Sequence, residues 1–115
     1  MIRARAAVAA VLVLVTASAA GCRAGEARAT FPRVVVAAER GSRALVVQDH
    51  VSLGAGPRFV DAVTEVRVGE GAALELVVLQ RESDETFHVG NVQAQLDRDA
   101  RFACRTLTLG GAFVR

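Results

Sequence analysis

The chain has 115 residues, enough for one domain with one modest core, and an apolar fraction of 52% excludes a disordered segment. Val, Ala and Leu supply most of that apolarity while Trp and Tyr are absent, so the expected core is aliphatic and β-prone. All fourteen basic residues are Arg, four of them before residue 30 beside the single acid Glu26, so the net charge of +2 belongs to the leader; the remaining body offers no basic face to nucleic acid and, without Trp or Tyr, little to stack bases on.

Residues 1–22 imitate a bacterial export signal. Arg3 and Arg5 form a basic start, Ala6 to Val15 an apolar stretch too short to cross a bilayer as a helix, and Ala19-Ala20-Gly21 precede Cys22. That last run is similar to a lipoprotein processing box, although Ala19 stands where such boxes usually carry Leu. The competing reading takes Val11 to Val15, followed by Thr16-Ala17-Ser18, as a buried strand, because short continuous Val-rich runs suit one. Residues 1–29 are thus a leader or part of an upstream strand region.

From Pro32 onward, apolar runs of strand length alternate with Gly, Asp and Ser clusters, and no segment sustains a helical i, i+3, i+4, i+7 stripe. The fold class is therefore all-β, with strands expected at Arg33 to Ala38, Ala44 to Gln48, Phe59 to Val68, Leu74 to Arg81, Phe87 to Leu96 and Phe102 to Leu109. Alternation is clearest in Thr64-Glu65-Val66-Arg67-Val68 and Val92-Gln93-Ala94-Gln95-Leu96, where it turns one face inward. A weak repeat lays Gly41-Ser42-Arg43-Ala44-Leu45-Val46 on Gly71-Ala72-Ala73-Leu74-Glu75-Leu76 and on Asp99-Ala100-Arg101-Phe102-Ala103-Cys104, at offsets of 30 and 28. A turn followed by a strand at such a period suits a solenoid, while short strands between turns also suit a sandwich.

Few residues offer chemistry. Glu82, Asp84, Glu85 and His88 crowd one segment, but it lacks the Gly a hard-cation loop needs for its bend, so it reads as a solvated turn. His50, beside Asp49 at a strand end, has no Ser or Cys nucleophile in a recognised motif with it and reads as a surface histidine. Gly69-Glu70-Gly71 and Gly110-Gly111 lack the phosphate-loop spacing, the chain has no Lys, and both read as turns. Cys22 and Cys104 lie 82 positions apart, which matches no zinc spacing. Cys104 aligns with Leu76 in the repeat and is expected inside as a small hydrophobe; its other reading is a soft-metal or cluster ligand.

The stretch Phe59-Val60-Asp61-Ala62-Val63-Thr64-Glu65-Val66-Arg67-Val68-Gly69-Glu70-Gly71-Ala72 resembles the N-A-V-T-E-x-x-V-G-x-x-A segment of the SufB/SufD family of iron-sulfur cluster assembly proteins, in its SufD-like branch. Leu79-Gln80-Arg81-Glu82-Ser83 is similar to the family's L-Q-x-E-S, Phe87-His88-Val89 follows, and Leu107-Thr108-Leu109-Gly110-Gly111-Ala112 is similar to its S-L-G-G-A. Upstream, Pro32-Arg33-Val34-Val35-Val36 and Val46-Val47-Gln48-Asp49-His50 fit the two preceding strands, so the likeness covers residues 30–115.

The resemblance implies a right-handed parallel β-helix in a cytoplasmic complex, in which SufB and SufD pair through their β-helices and bind the ATPase SufC. It implies a scaffold acting through association with SufB-like and SufC-like proteins, not an enzyme, with the iron-sulfur cluster handled by the full complex. Residues 30–115 are expected to be a truncated β-helix core with no catalytic, cofactor-binding or metal-binding residue carried over from the family. It also favours the strand reading of Val11 to Ser18, since the family carries an apolar strand there. The alternative is an exported, lipid-anchored β-rich binding module, which would meet the membrane through a lipidated Cys22.

Overall fold

The computed structural model describes the backbone of residues 2–4 and 10–18 and the whole of residues 27–115. Cys22 and the small residues before it lie outside the described residues. Among the described residues ten strands follow in order: β1 (Ile2–Ala4), β2 (Ala10–Ser18), β3 (Arg28–Thr30), β4 (Arg33–Ala38), β5 (Arg43–Ser52), β6 (Arg58–Val68), β7 (Ala73–Arg81), β8 (Thr86–Leu96), β9 (Arg101–Thr108) and β10 (Phe113–Val114). No helix occurs among the described residues.

Val-rich segments with period-2 alternation form strands because β-branched side chains pack well on a pleated surface. Their corners lead the chain out of one sheet and into the other instead of folding a strand back beside itself, so β4 to β9 alternate between two sheets. One sheet orders β1-β4-β6-β8-β10, with β3 also on β6, and the other orders β2-β5-β7-β9. All pairs are parallel, so β4–β5, β6–β7 and β8–β9 each make one coil of a β-solenoid. Sandwich topology is ruled out by this winding.

The repeat read from the sequence is the coil register. Ala44 pairs with Leu74 and Leu74 with Phe102, reproducing the offsets of 30 and 28. The small residue at each first corner has a structural cause: Gly41, Gly71 and Asp99 all take left-handed backbone, with φ of 67°, 66° and 58°. Each turn closes on a bond from the residue after that tip to the residue two before it, Ser42 N to Glu39 O (3.0 Å), Ala72 N to Gly69 O (2.9 Å) and Ala100 N to Asp97 O (3.2 Å). The corners also stack, with Gly41 N donating to Glu70 O and Gly71 N to Arg98 O.

Inside the coils, Val36, Ala38, Val46, Val66, Val68, Ala72, Leu74, Leu76 and Val78 form one apolar core. Each Val or Leu buried there contributes about 1.5–3 kcal/mol. Outside, Phe59, Phe87 and Phe113 register on successive strands as an exposed column, and Phe31 meets Phe59 edge-on with ring centroids 6.4 Å apart. Glu70 bridges Arg40 and Arg98, Arg33 pairs with Asp61, and Arg105 with Glu75, all near solvent where such pairs add little.

Cys104 corrects one expectation. It does register with Leu76 on the inward column, yet Leu76 is fully buried and Cys104 is exposed. The reason is layering: β9 is the last strand of its sheet among the described residues, so nothing there covers its inward face. Val92 and Leu96 on β8 are exposed as well, because β10 pairs with that strand only at Phe87 and His88.

Candidate functional site: a buried histidine and glutamate cluster

The inward face of β5 and that of β7 change character along their length. On β5 it runs Ala44, Val46, then Gln48, His50 and Ser52; on β7 it runs Leu74, Leu76, Val78, then Gln80, with Glu82 one step past the strand. The solenoid interior is therefore aliphatic at the corner of Gly41 and Gly71 and polar at the opposite corner. Gln48, His50, Thr64, Gln80, Glu82, Thr86 and His88 are all buried there. Burying so many polar groups costs stability unless each finds a partner, and nearly all do.

Parallel stacking brings three coils to one place. His50 comes from β5, where it registers with Gln80 of β7; Glu82 follows β7; His88 comes from β8, in register with Val60 of β6. His88 Nδ1 donates to Glu82 Oε2 at 2.7 Å, and Gln80 Nε2 donates to the same oxygen at 2.9 Å. The His50 and His88 rings meet edge to face, centroids 4.8 Å apart and 74° between planes. On the far side, Thr64 Oγ1 donates to Gln48 Oε1 (2.9 Å), whose Nε2 donates to His50 Nε2 (2.8 Å). A side-chain relay thus runs Thr64, Gln48, His50, His88, Glu82, Gln80. Gln80 Oε1 is buried without a hydrogen-bond partner.

The electrostatics set charge states. Burial pushes the His50 pKa down, and the neighbouring His88 lowers it further, so His50 is held neutral below its ordinary range. Burial alone would raise the Glu82 carboxyl, but the hydrogen bonds from His88 and Gln80, with the charge the two imidazoles can carry, overcome it and keep Glu82 below the usual carboxylate range. Outside the coil, the Arg81 guanidinium hydrogen-bonded to Asp49 holds that carboxyl low as well.

Two further features shape the cluster. Gly90 leaves space beside His88, where a Cβ would stand 3.3 Å from Nε2, and a void of about 30 Å³ opens there against Gln48, His50, Thr64 and His88. Gly110 passes so close to the site that a Cβ would lie 2.3 Å from Glu82 O, and Gly111, at φ 106°, approaches Gln80 Nε2. These glycines are close-approach positions as well as turns.

The sequence reading misplaced most of this site. His50 is not a surface histidine, and Glu82 and His88 do not sit in a solvated turn; all three are buried, because their alternation phase points them into the coil. Asp84 and Glu85 are exposed as expected, with Glu85 Oε2 accepting from Gly56 N. Cys104 is not brought to the cluster, since it registers with Leu76 at the apolar end. The missed signal was the inward parity itself: the phase that carries Leu74, Leu76 and Val78 continues to Gln80 and Glu82, and that of Ala44 and Val46 continues to Gln48 and His50.

No curated protein and no solved structure matches the chain. The parallel coils, their register and the motifs at Ala62 to Ala72, Leu79 to Ser83 and Leu107 to Ala112 converge with a family description that matches residues 20–115, the SufBD core domain of the SUF system for FeS cluster assembly. The chain belongs to the SufB/SufD family.

Proposed function

We propose that this protein is a scaffold component of the Suf iron-sulfur cluster assembly complex, acting in the cytoplasm through association with SufB-like and SufC-like proteins, and that it carries out no catalysis of its own. Its family supports a role in iron-sulfur cluster assembly. The observation that carries the reading is that the family's core domain and the parallel solenoid occupy the same residues. The exposed column of Phe59, Phe87 and Phe113, with Phe31 beside it, supports association, because an aligned apolar strip on a solenoid face is the kind of surface a protein partner covers. The cluster is cargo in this reading, not a resident cofactor of the chain.

The test is co-expression of the full chain with SufB-like and SufC-like proteins, followed by purification of the assembly, intact mass, cell fractionation and complementation of a strain deficient in cluster assembly. A soluble cytoplasmic complex of unprocessed chain that restores assembly is expected. A membrane-bound product beginning at a lipidated Cys22, or a chain that never joins either partner, would overturn it.

A further inference from the structure

His50, Glu82 and His88 each present one ligand atom, all within 4.8 Å of one another, and the three residues are 3%, 5% and 4% exposed. From this geometry we propose that they form a binding site for a single divalent first-row transition-metal ion inside the solenoid. The site is independent of whether the chain serves as a scaffold.

Three arguments carry it. The first is the donor set: two imidazoles and one carboxylate suit Zn²⁺, Fe²⁺ or Co²⁺, and three protein ligands leave one position for water. Donors about 2.0–2.1 Å from a tetrahedral ion lie about 3.4 Å apart, so closing from 4.8 Å asks for side-chain shifts of about an ångström. The second is the surrounding shell. Gln80 Nε2 donates to Glu82 Oε2, an outer hydrogen bond that orients a carboxylate ligand, and the Gln48 amide stands 2.8 Å from His50 Nε2, where turning it to present Oε1 would let it accept the N–H of an imidazole ligating through Nδ1. The third is space: Gly90 and the void of about 30 Å³ against both imidazoles leave room for an ion-bound water, which needs about 10–15 Å³. A purely structural hydrogen-bond network needs neither the second histidine in ring contact with the first nor the void beside them.

The experiment uses the full chain with Cys22 and Cys104 both changed to Ser, so that no thiol competes, freed of any affinity tag and treated with chelator. Co²⁺ is titrated under visible absorption, and Zn²⁺ and anaerobic Fe²⁺ are titrated with metal analysis after gel filtration. One ion per chain is expected, with the d–d bands of a low-coordinate Co²⁺ site and a rise in thermal midpoint on loading. Glu82→Gln, close to isosteric, is expected to abolish the spectrum and the thermal rise while the metal-free chain keeps its circular dichroism, and Gln48→Leu to weaken affinity about 10- to 100-fold. Asp84→Asn with Glu85→Gln, on the neighbouring surface, is expected to change nothing. Absence of stoichiometric binding by the folded chain, binding that survives Glu82→Gln, or binding lost with Asp84 and Glu85 would each overturn the proposal.

Discussion

The Glu82–His88 pair permits a quantitative test of how the polar end of the coil is held. His88 Nδ1 and Gln80 Nε2 both donate to Glu82 Oε2, at 2.7 and 2.9 Å, and all three side chains are buried. Glu82→Leu removes the acceptor from both donors. Each orphaned buried donor costs about 1–3 kcal/mol, so the single substitution is expected to cost about 2–6 kcal/mol. Against a domain stability of about 5–15 kcal/mol that is a large loss. His88→Leu alone leaves a buried carboxylate with Gln80 as its remaining donor, a broken pair worth about 3–5 kcal/mol. In the double variant the two losses share one cause and only Gln80 stays unmatched. The combined cost should therefore fall short of the sum by about 1–3 kcal/mol. Urea unfolding followed by circular dichroism, with chelator present so that no ion contributes, measures all four proteins. Additivity within about 0.5 kcal/mol would refute direct coupling across the pair.

Leu76→Ala, at a fully buried position, should cost about 2–5 kcal/mol, whereas Cys104→Ala, exposed at the same register, should stay within about 0.5 kcal/mol; urea midpoints that reverse this order would place Cys104 inside. Gly110→Ala drives a Cβ to 2.3 Å from Glu82 O and should destabilise more than Gly41→Ala, whose Cβ meets nothing within 4 Å and whose cost is the left-handed strain of about 1–2 kcal/mol; equal losses in the same assay would contradict the close approach. Stability should also fall on acidification in two stages. Because His50 is held below its ordinary value, the unfolded chain binds the proton first, so stability is full above about pH 6.5 and declines as pH drops toward the folded value. Glu82, also lowered, adds its own loss as pH falls below about 4.3 through its folded value. A pH series of urea midpoints checks this, with His50→Gln expected to flatten the upper stage; a profile that rises as pH falls from about 6.5 would contradict the assignment.

Strand identity and coil register were legible in the sequence because both rest on local patterns. An apolar run of strand length marked Arg33–Ala38 to the residue, and the left-handed corners at Gly41, Gly71 and Asp99 recur at the spacing the chain needs to wind once. The motifs at Ala62 to Ala72 and Leu107 to Ala112 then carried the family, which the match over residues 20–115 shows. The end of β5 was harder: it was expected at Gln48 but runs to Ser52, since Asp49 and His50 look like a solvent-facing stop. Asp49 is in fact tied to Arg81 of the next coil, and His50 turns inward to Gln48.

Burial is where local pattern ran out. Leu76 and Cys104 share a register and a phase, yet only the first has a coil on each side, so the interior depends on what stacks above and below it. The parity that continues from Leu74 to Glu82 was written in the sequence, and following it through the polar residues would have placed Gln80 and Glu82 inside. No local pattern, however, says that His50, 32 positions before Glu82, and His88 converge on that carboxylate. That meeting follows from three coils laid in parallel at offsets of 30 and 28, with two sheets facing each other across the interior. A side chain's partner in a solenoid is set by the coil beside it and the sheet opposite, and both exist only once the chain has wound.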